Sequence, residues 1–394
     1  MAKLSIEQLD LAGRRVFLRA DLNVPLAAGA VADDTRLTAM IPTLEHALKA
    51  GAAVVLASHL GRPKGTPTPE FSLRSVAERL GALLGRPVRL APDCVGEETV
   101  GLARGLQPGE ILLLENLRFH AEEETNDEGF ARQLAALADC YVDDAFAAAH
   151  RAHASIEAIT HHLQPAAAGL LMRRELEMLA RILERPEPPL VAILGGAKVS
   201  DKLALVEHLL ERVNGLVIGG GMAFTFLHAM GHDVGRSLVE ADRVGTARRV
   251  LESTRRQGVQ VVLPVDAIVA PGIDSPEGRA LGIREIPADQ MGLDIGPLTI
   301  GRFVTTLRTA RTIVWNGPMG VFEKAPFAAG TLAVARAVGE GPAFSVVGGG
   351  DTVAAVTRAG VADRIGYIST AGGAFLEFLE GRKLPGVEAL TEVS

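Results

Sequence analysis

Four arginines sit on four separate segments of the first half of the chain, each beside a short apolar run. RADLNVP (19–25) places Asp21 and Asn23 just past one run, and Arg36 opens the helical pattern that follows. SHLGRP (58–63) supplies His59 and Arg62, ENLRFH (115–120) supplies Arg118, and AHRAHAS (149–155) supplies Arg151. Guanidinium groups bind phosphate and carboxylate through paired hydrogen bonds, so four of them gathered at one pole suit a small phosphorylated acid. Asp21 and Asn23 would then exchange hydrogen bonds with a hydroxyl of that ligand.

The second half carries a different set. GGAKVSDKL (195–203) is a glycine pair after an apolar run, then Lys198, then Lys202 near a helix start. It shares the logic of a P-loop without its GxxxxGK[ST] spacing. GGGDT (348–352) follows another apolar run and opens a helical pattern. Glycines such as Gly349 and Gly350 let backbone approach a phosphate closely, and a helix N-terminus offers free N–H donors. Asp351 is placed to hold a magnesium ion bound to nucleotide phosphates. NGPMGVFE (316–323) adds Asn316, Pro318 and Glu323, whose carboxylate suits ribose hydroxyls. No GxGxxG with a downstream acid opens this half, which disfavours a dinucleotide site.

A small-acid site and a nucleotide site together predict phosphoryl transfer. That reaction needs positioning and charge stabilisation more than covalent help from the protein. With a carboxylate as nucleophile, ionised far below neutral pH, no general base is required. The sequence agrees: no Ser-His-Asp or Cys-His set stands out. Arg36, Lys198 and the GGGD helix terminus would neutralise charge on the migrating group, each such donor contributing about 3–4 kcal/mol of barrier reduction.

The elements that must position these groups are legible as apolar runs alternating with helical patterns. Strands are predicted over 14–20, 53–59, 111–116 and 140–146, then over 190–196, 215–220, 259–266, 312–317, 344–350 and 364–369. Most are continuously apolar, as strands buried on both faces are, which favours parallel sheets covered by helices. Thr35, Ser72 and Ser200 are predicted helix caps, and Gly51 a helix stop. The fold class that follows is α/β, with two doubly wound parallel-sheet (Rossmann-like) domains joined by an interdomain helix. The pattern GLLMRRELEMLARILERPEPPL (169–190) supplies that helix over 169–185, ahead of Pro186, Pro188 and Pro189. The predicted domains are thus 1–168 for the acid and 186–374 for the nucleotide. Ligands of open parallel sheets bind beyond the carboxyl ends of the strands, so two loaded sheets predict two half-sites facing one cleft. Closure about the interdomain helix would bring the half-sites together.

Bulk properties exclude other classes. With 394 residues, two or three domains are expected. Aromatics are only 4%, so Leu, Val, Ile and Ala must build the core. A net charge of −7 argues against a general nucleic-acid or membrane partner, since either needs a broad basic face. Cys94 and Cys140 cannot by themselves make a disulfide framework or a zinc site, and read as reduced structural thiols. The opening MAKLSIEQLD has charges and no apolar run of signal length, and no run suits a spanning helix; a cytoplasmic location is the expectation.

Taken in order, RADLNVP, SHLGRP, LLENLRFH, AHRAHAS, GGAKVSDK, GGGMAFTFL, LPVDAIVA, WNGPMGVFE and GGGDT resemble the phosphoglycerate kinase family over almost the whole chain. The resemblance implies transfer between 1,3-bisphosphoglycerate and ADP, giving 3-phosphoglycerate and ATP with Mg2+. It implies that Asp21, Asn23, Arg36, His59, Arg62, Arg118 and Arg151 hold 3-phosphoglycerate. Lys198, Lys202, Gly292, Asn316, Pro318, Glu323, Gly349, Gly350, Asp351 and Thr352 would serve the nucleotide, Gly292 in the adenine pocket. Arg36, Lys198, Gly349 and Gly372 would be the catalytic set. It further implies a monomer, and a final segment (375–394) that returns to the first domain. Three departures from the family pattern are Asp143 for the usual Asn, Ala147-Ala148 for Gly-Thr, and Ala371 for the first of three glycines in ISTAGGAF. The last lies beside the expected transfer site, where an alanine at positive φ would be strained.

Overall fold

The computed structural model describes residues 3–393. The chain forms two compact units, changing from the first to the second between Glu177 and Met178 and returning to the first at Lys383.

The first unit is built on a six-stranded parallel sheet. Its spatial order is Arg89–Leu90, Ile111–Leu113, Ala53–Ala57, Arg15–Arg19, Cys140–Asp143, Ala166–Ala168. Arg15 pairs with Ala53 on one side and Val16 with Cys140 on the other. Ala53–Ala57 is buried along its whole length, which is why its run is apolar without alternation. Leu37, Met40 and Leu44, on the helix Thr35–Lys49, close the core over Val16, Leu18, Val54 and Leu56. The direction of winding reverses between Arg15–Arg19 and Cys140–Asp143. A crevice at such a reversal is where open α/β sheets take their ligands.

The second unit repeats the plan with its own sheet: Gln260–Val262, Gly215–Ile218, Leu190–Leu194, Thr312–Asn316, Phe344–Val347, Tyr367–Ile368, all parallel. Counted along the chain this is the order 3-2-1-4-5-6, with the reversal between Leu190–Leu194 and Thr312–Asn316. The fold is therefore α/β, with two doubly wound parallel sheets. The helix Leu170–Leu183 runs across the point where the units divide and stops ahead of Pro186.

Several local expectations change. The run 259–266 is not one strand. Pro264 cannot donate to a ladder, so Gln260–Val262 ends before it and Asp266–Ala270 begins a separate antiparallel sheet with Arg279–Gly282 and Met291–Ile295. The three hydroxyl caps are also displaced. Asp33 Oδ1 accepts the Thr35 N–H at 2.8 Å, so Thr35 is the first helical residue. The helix at Ser72 starts at Arg74, with Leu73 in the cap position. Ser200 donates to Glu240 Oε1 at 2.6 Å, and its helix starts only at Leu203. Finally, residues 375–382 stay with the second unit, not the first. The Phe375 ring lies where a Cβ on Gly348 would be, and Gly381 abuts His208. From Lys383 the chain joins the first unit, where Gly386 N–H donates to the Ala149 carbonyl at 2.9 Å and Thr391 N–H to that of Ala166 at 2.9 Å. Among the described residues no helix is long and apolar enough to cross a membrane.

Candidate active site

In the first unit, the strand Arg15–Arg19 ends in a turn that Asp21 organises: Asn23 N–H donates to Asp21 Oδ1 at 3.2 Å. Arg36 reaches across, donating to Asp21 Oδ2 at 2.7 Å and to the Asn23 carbonyl at 3.1 Å. Asn23 Oδ1 in turn accepts the Gly61 N–H at 2.9 Å, and Arg118 donates to the Gly61 carbonyl at 2.9 Å. Asp21, Asn23, Arg36 and Arg118 thus form one connected group through the glycine of SHLGRP. Arg62 follows that glycine with an exposed side chain. Arg151 is also exposed and donates to His150 Nε2 at 3.0 Å.

Sequence inspection missed the residues beneath this surface. Arg19 is fully buried, donating to Ser155 Oγ at 2.9 Å and facing His59 Nδ1 at 3.2 Å. An arginine has only donors, so Nδ1 is the acceptor and the His59 proton sits on Nε2. Burial first, then the charges of Arg19 and Arg118, push the His59 pKa well below its usual value. His59 is consequently a neutral donor. Glu123, wholly buried, accepts from the Ser155 N–H at 2.9 Å and the Ser155 hydroxyl at 2.6 Å, and burial raises its pKa. Asn116 is the other hidden member. Its amide donates to the Leu60 carbonyl at 2.7 Å and its Oδ1 accepts the Arg118 N–H at 3.1 Å, tying two site loops together. Arg19 and Asn116 lie inside quoted motifs, yet an arginine at the end of a strand and an asparagine beside a glutamate give no sign that they are buried.

This half-site holds more positive charge than it pairs. Arg118 is held below its ordinary pKa by burial, with the guanidiniums of Arg19 and Arg151 adding repulsion and Glu124 opposing it. Like charges brought together in partial burial are offset most directly by a bound anion.

In the second unit the reversal point is occupied by glycine loops in close contact. Gly195 N–H donates to the Asn316 carbonyl at 3.0 Å and Gly196 N–H to that of Pro318 at 2.9 Å. A Cβ on Gly195 would fall 2.2 Å from the Pro318 oxygen, so only glycine permits the approach. Asn316 is buried; its amide donates to the Gly348 carbonyl at 2.7 Å while its Oδ1 has no protein partner. Thr352 Oγ1 accepts the Gly317 N–H at 2.8 Å, joining the start of the helix Gly350–Arg358 to the same loop. Gly349, at φ +93°, precedes that helix, and Asp351 stands exposed in its first turn. Lys202 is half-buried; burial lowers its pKa, while Asp201, Asp351 and Glu380 favour its charge. Lys198 and Lys202 do not share a helical face, because both precede Leu203. Asn316, Pro318, Gly349, Thr352, Lys202 and Asp351 are therefore linked by contact or field.

Lys198, exposed with its charge acting on Glu240, stands outside that linkage, as do three further expected residues. Gly292 lies on the antiparallel sheet, donating to Ser237 Oγ at 2.9 Å, with the Phe224 ring 2.0 Å from where a Cβ would sit. Glu323 is exposed in the turn before Ala325–Phe327. Gly372 adopts φ +56° ahead of the helix Gly373–Leu379, with open space where a Cβ would project. The strain expected at Ala371 is absent. Ala28, Lys64 and Asn126 are the described non-glycine residues at positive φ, and Ala371 is not one of them. Its N–H donates to Ser369 Oγ at 3.3 Å.

The chain is similar to known proteins over nearly its whole length. The family model described as phosphoglycerate kinase matches residues 6–382. The phosphoglycerate kinase of Moorella thermoacetica is 56% identical over 394 residues, covering 100% of both chains, and that of Koribacter versatilis is 54% identical over 402 residues, covering 99% of this chain and 100% of the relative. The solved structure of phosphoglycerate kinase from Coxiella burnetii superposes with a TM-score of 0.92 at 42% identity, covering 98% of each chain. That from Pyrococcus horikoshii gives 0.83 at 35% identity, again covering 98% of each. This chain belongs to the phosphoglycerate kinase family.

Proposed function

We propose a division of labour for the reaction of this family, ATP:3-phospho-D-glycerate 1-phosphotransfer, in which the first unit holds 3-phosphoglycerate or 1,3-bisphosphoglycerate and the second holds ADP or ATP. Arg62, Arg118, Arg151 and the His59 Nε2–H take the phosphate and hydroxyl end of the acid, with Asp21 and Asn23 on its hydroxyl. Arg36 lies toward the carboxyl end, where charge migrates. The observation that carries this reading is the chain of contacts Asp21–Arg36–Asn23–Gly61–Arg118 over a neutral His59.

On the nucleotide side, Lys202 and Lys198 face the phosphates, and the N–H groups opening Gly350–Arg358 add donors. Asn316, Thr352 and the Pro318 loop support the phosphate and ribose region, Glu323 the ribose, and Gly292 the adenine. The unpartnered Asn316 Oδ1, buried beside Gly349, fits a polar ligand. Asp351 is an exposed oxygen donor of the kind magnesium accepts, and would hold the ion together with nucleotide phosphates; the ion would neutralise phosphate charge. The acid's carboxylate attacks without a base, because it is already ionised at neutral pH. Arg36, Lys198 and the backbone at Gly349 and Gly372 then stabilise the transferring group.

The proposal is of a monomer working in the cytoplasm on small molecules. The net charge of −7 supports the lack of a nucleic-acid or membrane partner. A coupled assay of ATP consumption tests the reading. Consumption that depends on 3-phosphoglycerate and magnesium is the expected result; consumption indifferent to 3-phosphoglycerate would refute it.

A further inference from the structure

We propose that Asp93, Cys94 and His120 form a binding site for a divalent cation of the zinc class, separate from the substrate and nucleotide groups. One carboxylate oxygen of Asp93, the Cys94 sulfur and one ring nitrogen of His120 all lie within 4.8 Å of one another. The atoms of a tetrahedral zinc shell stand about 3–4 Å apart, from metal–ligand bonds of about 2.0–2.3 Å. The apo arrangement is therefore within a small adjustment of a first shell. Thiolate, imidazole and carboxylate together select zinc or cobalt and discriminate against magnesium and calcium, which prefer oxygen. Three protein ligands leave a fourth position for water.

The site is held in place by its surroundings. Asp93 and Cys94 occupy the turn between the strand Arg89–Leu90 and the helix Glu97–Arg104. Thr99 Oγ1 donates to the Asp93 carbonyl at 3.0 Å, and the Cys94 N–H to Asp93 Oδ1 at 2.6 Å. His120 follows the short turn Leu117–Phe119, with Nε2 2.7 Å from Asp93 Oδ1 and its ring stacked on Phe130 at 5.2 Å. Side-chain exposure is 26% for His120 and 46% for Asp93, whereas Cys94 is 0% exposed. A cation enters from the carboxylate and imidazole side and meets sulfur at the closed end. Glu122 and Glu123 add negative potential, acting on His120 and Cys94 respectively.

The Cys94 sulfur binds a metal as thiolate, so the thiol proton must leave when the ion arrives. Binding breaks the S–H bond and forms an S–metal bond; that proton goes to solvent, as does any proton shared between His120 and Asp93. No electron is transferred. The bound ion would cross-link the 93–94 turn to the segment carrying Arg118, two residues before His120.

The test is a cobalt(II) titration of the reduced, metal-free, full-length protein, followed by absorbance. The expected result is one equivalent of cobalt giving thiolate-to-cobalt charge-transfer absorption, displaced by zinc and unaffected by excess magnesium. The chain has only one other thiol, Cys140, so assignment is direct. Cys140→Ser should keep the band, Cys94→Ser should lose it, and His120→Asn should weaken binding at least about tenfold. Absence of the band in wild-type protein overturns the proposal, as does its survival in Cys94→Ser or an unchanged affinity in His120→Asn. If Cys94→Ser does not fold, the His120→Asn affinity and the Cys140→Ser band decide.

Discussion

A single nitrogen of Arg36 donates both to Asp21 Oδ2, at 2.7 Å, and to the Asn23 carbonyl, at 3.1 Å. The guanidinium is thereby oriented before any ligand arrives, and its side chain stays 37% exposed. Replacing it removes a pre-aimed charge without opening a core cavity. Arg36→Ala is expected to lower kcat about 10²–10³-fold, the usual loss for one transition-state donor, with little change in the KM for ATP. Steady-state kinetics in both substrates check this; an unchanged turnover would remove Arg36 from the transfer step.

Lys202 should report on the other substrate. Its charge is favoured by Asp201, Asp351 and Glu380, all in the second unit. Lys202→Ala is expected to raise the KM for nucleotide while leaving that for 3-phosphoglycerate nearly unchanged. A change confined to the acid substrate would contradict the assignment of halves.

Asp143 makes a pH-dependent prediction. Burial raises its pKa from 3.8 to about 7, and its Oδ2 has no hydrogen-bond partner. The folded protein therefore keeps a proton that the unfolded chain releases above pH 3.8. The stabilisation is complete below that value and is lost as pH rises through about 7. Asparagine cannot ionise, so the Tm of Asp143→Asn minus that of wild type should grow between about pH 5 and pH 8. At roughly 1.4 kcal/mol per pKa unit the upper bound is a few kcal/mol. Parallel Tm-against-pH profiles would show that Asp143 does not titrate in this window.

Ala371 is expected to be silent in catalysis. Because it does not occupy positive φ, restoring the glycine relieves no strain. Ala371→Gly should leave turnover as it is and lower stability by about 0.4–1 kcal/mol through the freer unfolded chain. A clear rise in kcat would show that the alanine impairs a backbone contact.

The sequence by itself determined the two parallel sheets, because strands buried on both faces must be continuously apolar and these runs contain few polar residues. It also determined most of the candidate site, since Asp21 and the glycines at 195–196 follow closely on the strand ends Arg19 and Leu194. Tertiary structure alone decided the antiparallel sheet, where Pro264 ends one ladder and a different set of partners begins the next. It decided that Arg19 is buried under His59, a fact of packing that a single strand's sequence cannot encode. It also brought His120 to Asp93 and Cys94 across 25 intervening positions, since ligand distance depends on how loops meet and not on spacing along the chain.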